Sequence, residues 1–154
     1  MTAYPNEATG GCHCGAIRYQ VSGQPEFVGC CHCKDCRGST GAPMTVFVTY
    51  LGDRVQFTAG QRKIYASSPG IARTFCADCG TPLSYEAEWA GQTVIGLYVS
   101  TLDEPDNFPP DKHVFDVDRI GWFHVADTLP RYLTVPGEGG PDSVGPSVGQ
   151  RGDG

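Results

Sequence analysis

Eight cysteines in 154 residues fall into three tight groups, and no other feature limits so sharply what this chain can fold into. The groups are Cys12-His13-Cys14-Gly15, Cys30-Cys31-His32-Cys33-Lys34-Asp35-Cys36 and Cys76-Ala77-Asp78-Cys79-Gly80. Thiols two or three residues apart reach a single ion, because one tight turn puts both sulfurs on the same side. Tetrahedral Zn²⁺ takes four such donors in a closed structural site, or three plus an open position in a site for chemistry. Seven of the eight cysteines sort into those two kinds of site. A disulfide scaffold is the competing explanation for an even cysteine count. The C-x-C spacing disfavours it, since that spacing suits chelation better than two separate bridges. The segment from Met1 to Gly11 also shows neither the basic start nor the apolar run of an export signal. Metal sites and a reducing, cytoplasmic compartment are the expectation.

At this length the chain is about one domain and buries a core without needing metal staples for all its stability. Basic side chains number 11 against 17 acidic ones, a formal net charge of -6, and no Lys/Arg cluster is present. A nucleic-acid partner would require a basic face to neutralise phosphates, so none is expected. The same deficit argues against a membrane surface, and no apolar run approaches a spanning length.

Periodicity points to strands with little helix. Ala16 to Val21, Met44 to Tyr50, Val55 to Thr58, Lys63 to Ala66, Ile71 to Phe75 and Thr93 to Val99 read as short strands, and Lys112 to Val117 as another. One helical turn is expected from Cys33 to Ser39, which would let Cys33 and Cys36 share a face. Asp103 to Pro110 reads as a loop. The fold class is mainly β in a single domain, residues 11–135, after an extension of residues 1–10. From 136 to 154 the composition turns to Gly, Pro, Ser and Asp, a tail with no core to join.

Glycine follows the second thiol in two of the groups, at Gly15 and Gly80. There a positive φ is easily reached, and the backbone curls over the sulfur to offer it N–H groups. Two such knuckles supply four thiolates from Cys12, Cys14, Cys76 and Cys79, enough for one closed structural site with no open position. In the middle group an extended backbone puts Cys31 and Cys33 on one side and His32 on the other. Cys36 arrives one turn later. Three thiolates then converge, and the fourth position is free for water or a substrate thiol. A metal-bound thiol is deprotonated, so a thiol such as glutathione would be held as thiolate beside a weak Lewis acid. Cys30 is expected to be a small buried side chain, the alternative being a fourth ligand that closes the site. His13 and His32 read as neighbours rather than ligands. Arg37, in the Arg37-Gly38-Ser39-Thr40 stretch, either meets a substrate carboxylate or belongs to an ordinary polar turn. His113, His124, Trp122 and Tyr132 read as core or rim residues.

The three motifs, in order, resemble those of the glutathione-dependent formaldehyde-activating enzyme family, which also contains the centromere protein V group. The resemblance rests on Gly11-Cys12-His13-Cys14-Gly15-Ala16-Ile17-Arg18-Tyr19, on Cys31-His32-Cys33-Lys34-Asp35-Cys36-Arg37 and on Phe75-Cys76-Ala77-Asp78-Cys79-Gly80-Thr81-Pro82-Leu83. His113 to Tyr132 is similar to the family's closing region. What it implies is a zinc-binding β-tent fold with two zinc ions per chain. Cys12, Cys14, Cys76 and Cys79 match the ligands of a structural zinc, and Cys31, Cys33 and Cys36 those of a catalytic one. The implied activity is that of a carbon–sulfur lyase joining glutathione and formaldehyde in S-hydroxymethylglutathione, with a small-molecule thiol and aldehyde as partners. The alternative is a non-catalytic zinc module that binds a protein partner. It would show an exposed apolar patch and a closed or empty second site.

Overall fold

Short strands bounded by turn residues assemble as antiparallel hairpins, since each buries its apolar face only against a neighbour. The computed structural model describes residues 3–136, so the tail read over 136 to 154 lies, beyond its first residue, outside the described residues. Ten strands and one α-helix are present among them, and the protein is mainly β. Two compact units are formed. One takes in the chain up to Phe27 together with Phe47–Pro109; the other takes in Val28–Val46 and the chain from Pro110 onward.

The first unit holds two antiparallel sheets. In one, β1 (Glu7–Gly11) pairs with β2 (Arg18–Ser22), and β2 with β5 (Val55–Ala59). In the other, β4 (Thr45–Leu51), whose start lies in the second unit, pairs with β9 (Gln92–Tyr98). From β9 the order runs on through β8 (Pro82–Trp89) and β7 (Ile71–Phe75) to β6 (Lys63–Ser68). Tyr19 and Val21 of β2, Val48 and Tyr50 of β4, Leu83 of β8 and Leu97 of β9 are buried and form its core. A fully buried Leu or Val contributes about 1.5–3 kcal/mol relative to exposure. Arg18 and Thr9 both reach the Asp103 carboxylate, and the Asp103 N–H donates to the Thr9 carbonyl at 2.9 Å. The loop after β9 is thereby fastened to β1 and β2.

The second unit is built on β3 (Phe27–Cys31, from Val28), α1 (Lys34–Thr40) and β10 (His113–Val114). β10 runs parallel to β3, with His113 opposite Cys30 and Val114 opposite Cys31. On its other side it exchanges backbone bonds with 130–132, through His113 N–H to Pro130 O and Tyr132 N–H to His113 O, both 2.9 Å. The strand expected over Lys112 to Val117 is thus only two residues long. Phe115 adopts a left-handed conformation at φ 52°, and Asp116–Asp118 turns as a 3-10 helix. Buried Asp116 there lies 3.7 Å from Arg119 Nε and 3.5 Å from Arg131 Nη1. Paired buried charges, rather than an apolar face, decide this segment's path.

β7 has the bounds expected of it, and β2, β4, β5, β6 and β9 lie within two residues of theirs. β1, β3 and β8 have no counterpart in the expected strands. β1 takes in four residues, 7–10, of the segment expected to be an extension. No described helix is long and apolar enough to cross a membrane.

Candidate metal centres

Both knuckles are hairpin turns. Between β1 and β2, Gly15 N–H donates to Cys12 O at 3.1 Å, and Cys12 N–H to Ile17 O at 3.0 Å. Between β7 and β8 the pattern recurs, Gly80 N–H donating to Cys76 O at 2.8 Å and Cys76 N–H to Thr81 O at 3.0 Å. Gly15 at φ 83° and Gly80 at φ 77° supply the left-handed residue that each curl needs. The two turns bring Cys12, Cys14, Cys76 and Cys79 together with all four sulfurs within 4.8 Å of one another. This set bridges the two sheets of the first unit. Cys12 and Cys76 are buried, while Cys14 and Cys79 are exposed, so the set sits at the unit's surface.

Thr81 ties the turns to each other. Its hydroxyl accepts from His13 N–H at 3.1 Å and lies 3.1 Å from Cys79 Sγ, where it serves as donor to a thiolate. That bond, with backbone N–H groups, holds the Cys79 thiol down to about 5. Ile17 N–H donates to Cys12 Sγ at 3.2 Å.

The second set lies where β3 passes into α1. Cys31, Cys33 and Cys36 bring three sulfurs within 4.8 Å of one another. Cys33 is the N-cap of the helix, extended at φ -61° and ψ 148°, and its sulfur accepts from Cys36 N–H at 3.3 Å. A seven-residue helix is too short to persist alone. Its start is held by that sulfur cap and its end by Gly41 at φ 73°. Cys31 and Cys36 are buried and Cys33 is half-buried.

Spacing inside both sets fits a tetrahedral divalent ion. Sulfurs about 2.3 Å from zinc stand about 3.8 Å apart along a tetrahedral edge, against about 2.05 Å in a disulfide. Here Cys12–Cys14, Cys14–Cys76 and Cys31–Cys36 are separated by 3.6, 3.9 and 3.8 Å. All eight cysteines are free thiols. Charge gives the same indication. In the metal-free protein the backbone near Ala16 favours the Cys14 thiolate, but crowding by Cys12 and Cys79 outweighs it and pushes Cys14 up to about 12. Crowding by Cys33 and Cys36 pushes Cys31 far above the ordinary thiol range. Sulfurs this close do not ionise together unless a cation accompanies them, and Zn²⁺ is a soft enough ion to do so.

The two sets are those expected from spacing, and Cys30 belongs to neither. It is buried on β3, where burial raises its thiol to about 12. His32 is fully buried on the opposite side of the segment from Cys31 and Cys33 and donates or accepts at His113 Nδ1, 2.9 Å away. Arg37 donates from Nε to the His32 carbonyl at 3.2 Å, bracing the loop. His13 is exposed, and its contact with Thr81 is through its backbone. Sequence reasoning missed Thr81, although it stands next to Gly80 within the motif. It also missed Asp127, which meets His113 at 2.8 Å and carries no local signal.

A mainly β chain with one four-sulfur and one three-sulfur set able to hold metal ions defines a class of cysteine-based metal-site proteins. The profile of the glutathione-dependent formaldehyde-activating enzymes matches residues 7–118, and the chain belongs to that family. An uncharacterised lyase of Schizosaccharomyces pombe is 34% identical over 79 residues, 51% of this chain and 57% of that protein. The chain thus spans little more than half of that relative's length. A Halomonas elongata protein carrying the provisional name of a glutathione-dependent formaldehyde-activating enzyme is 28% identical over 128 residues, 75% of this chain and 79% of its own. A crystal structure of a Rhodobacter sphaeroides protein is similar over 62% of this chain and 87% of that one, at 22% identity and a TM-score of 0.49.

Proposed function

We propose that this protein is a zinc-dependent carbon–sulfur lyase-type enzyme that makes or breaks the adduct of a glutathione-like thiol with a small aldehyde such as formaldehyde. The observation that carries the reading is the second set: three sulfurs converge, and no fourth ligand atom joins them among the described residues. Family membership and the names of the two relatives support it. Cys12, Cys14, Cys76 and Cys79 would hold one zinc as a closed structural site, and Cys31, Cys33 and Cys36 a second with one position left. Zinc in the second set would supply a Lewis acid that keeps an incoming thiol as thiolate. Cys31, Cys33 and Cys36 give that ion much charge, which suits orienting a thiolate better than splitting water. In the forward direction the substrate sulfur attacks the carbonyl carbon. A carbon–sulfur bond forms, the carbonyl π pair moves to oxygen, and that oxygen takes a proton from water, balancing the one the thiol released to solvent on becoming a thiolate.

A non-catalytic zinc module is the second reading, and exposed Ile64 and Tyr65 on β6, the last strand in its sheet's order, are the observation that favours it. It requires a closed or an empty second set. Exchange spectroscopy on the equilibrium of glutathione, formaldehyde and their adduct tests the enzyme, with free zinc as control. Acceleration by the wild type and none by Cys33→Ser is the expected result. Equal rates for the two proteins, with four sulfurs at the second ion by X-ray absorption falling to three in Cys30→Ala, would establish the module instead.

A further inference from the structure

His32 stands between two of the three donors of the second set and is fully buried. Its Nε2 lies 2.9 Å from Nδ1 of His113, and Nε2 of His113 lies 2.8 Å from Oδ2 of Asp127. A carboxylate only accepts, so His113 donates to Asp127 from Nε2. With one proton on each ring, His113 Nδ1 is then the acceptor, and the hydrogen between the rings belongs to His32 Nε2. The other nitrogen of His32, Nδ1, is buried with no hydrogen-bond partner among the described residues, so the bond to His113 is the polar contact that orients the ring, with packing against His113 and Phe123 beside it. The far end of the row is itself anchored: Asp127 Oδ1 accepts from Leu129 N–H at 3.1 Å and from Arg131 Nη2 at 3.4 Å.

The backbone around His32 is held as firmly. His32 N–H donates to Val114 O at 3.1 Å, Cys30 N–H to Lys112 O at 2.9 Å, and the His32 carbonyl accepts from Arg37. Side chains alternate along an extended segment, so fixing His32 on one side fixes where Cys31 and Cys33 project on the other. The row therefore lies where a carboxylate–histidine support for a metal ligand usually lies, except that its inner histidine braces the ligands' backbone rather than binding the ion.

We propose that His113 and Asp127 are positioning residues for the second cysteine set: the row Asp127–His113–His32 keeps Cys31 and Cys33 converged and so sets that set's metal affinity. The proposal rests on the reading that Cys31, Cys33 and Cys36 hold a metal. Cobalt(II) titration of the full chain against a chromophoric chelator tests both, because thiolate-to-cobalt and ligand-field bands report each set. The first measurement compares wild type with Cys36→Ser. Two ions falling to one supports the metal reading; a single ion in both proteins ends that reading and the proposal with it. Given two ions, His113→Ala should weaken the second by 10- to 100-fold and shift its ligand-field bands, leaving the first ion unchanged. His113→Asn, whose Oδ1 replaces the ring's Nδ1 as acceptor for His32, should recover most of that loss. Asp127→Ala alters the partly exposed end of the row and should weaken the second ion on the order of tenfold. A purely structural role would lower the melting temperature of the metal-free variants while leaving the second ion's affinity and bands as in wild type, and that result overturns the proposal. Should His113→Ala not fold, wild-type affinity at the second set in Asp127→Ala overturns it alone.

Discussion

Backbone conformation, rather than lack of room, explains the glycine at 80. At φ 77° a side chain is strained, yet a Cβ built there would meet nothing within 4 Å. Gly80→Ala should therefore cost about 1–2 kcal/mol, the left-handed penalty alone, and Gly80→Asn less. Urea unfolding of the metal-loaded protein measures both; a loss of several kcal/mol in either would mean that the turn makes contacts the structure lacks. Asp103 makes a different kind of test. The hydrogen bonds from Arg18 and Thr9 hold its carboxyl below the usual carboxylate range. A carboxyl depressed in the folded state stabilises above its unfolded value, near 4, and that contribution disappears as pH falls through the folded value. Its side chain is 44% exposed, so solvent limits the effect to roughly 1 kcal/mol. Asp103→Asn should be less stable than wild type at pH 7, and the gap should narrow as pH falls below about 4. A gap that does not narrow would assign the cost to lost geometry rather than charge.

The elements that carry the cysteines differ in how much of their structure rests on their own backbone bonds. The knuckles are hairpin turns with their own backbone bonds, whereas α1 starts on the sulfur of Cys33 and contains Cys36. Serine at 76 removes a donor from the set that spans two sheets; serine at 36 removes one from a set confined to the junction of β3 and α1. Cys76→Ser should lower the stability of the zinc-loaded protein by several kcal/mol, and Cys36→Ser by clearly less, since binding energy is shared with folding wherever distant segments meet. Calorimetry of the two loaded variants decides this, and equal melting temperatures would erase the division into structural and functional sets. Legibility follows a similar line. β7 and β9 carry β-branched and apolar residues between turn signals and could be read directly. β1, Glu-Ala-Thr-Gly-Gly, has no apolar alternation and is a strand because β2 pairs with it. β3 was hidden because Phe27 to Cys31 runs into the middle cysteine group. β8 opens on Pro82, a first-residue position that tolerates it, and its burial does not alternate.

At the scale of the whole molecule, each local cysteine pair and the Cys31, Cys33 and Cys36 triplet were legible from spacing, and the glycines at 15 and 80 pointed to the partnership of the two pairs, while the supports around them were not legible. Thr81 reaches across to His13, 68 residues away, and Asp127 serves a loop through His113, 14 residues before it. Such contacts depend on how hairpins stack, which no short window of sequence records. The four-sulfur set has a kinetic consequence. Each of its halves lies on a hairpin, and hairpins close in about 1–10 μs. Cys14 and Cys76 are 62 residues apart, so joining the halves waits for a long loop to close. Either half, once formed, presents a bidentate thiol pair before the rest of the chain has found its place. If that set holds zinc as proposed, an ion caught by one hairpin would turn the search for the other into a search for its missing ligands, and refolding speed would then depend on zinc concentration.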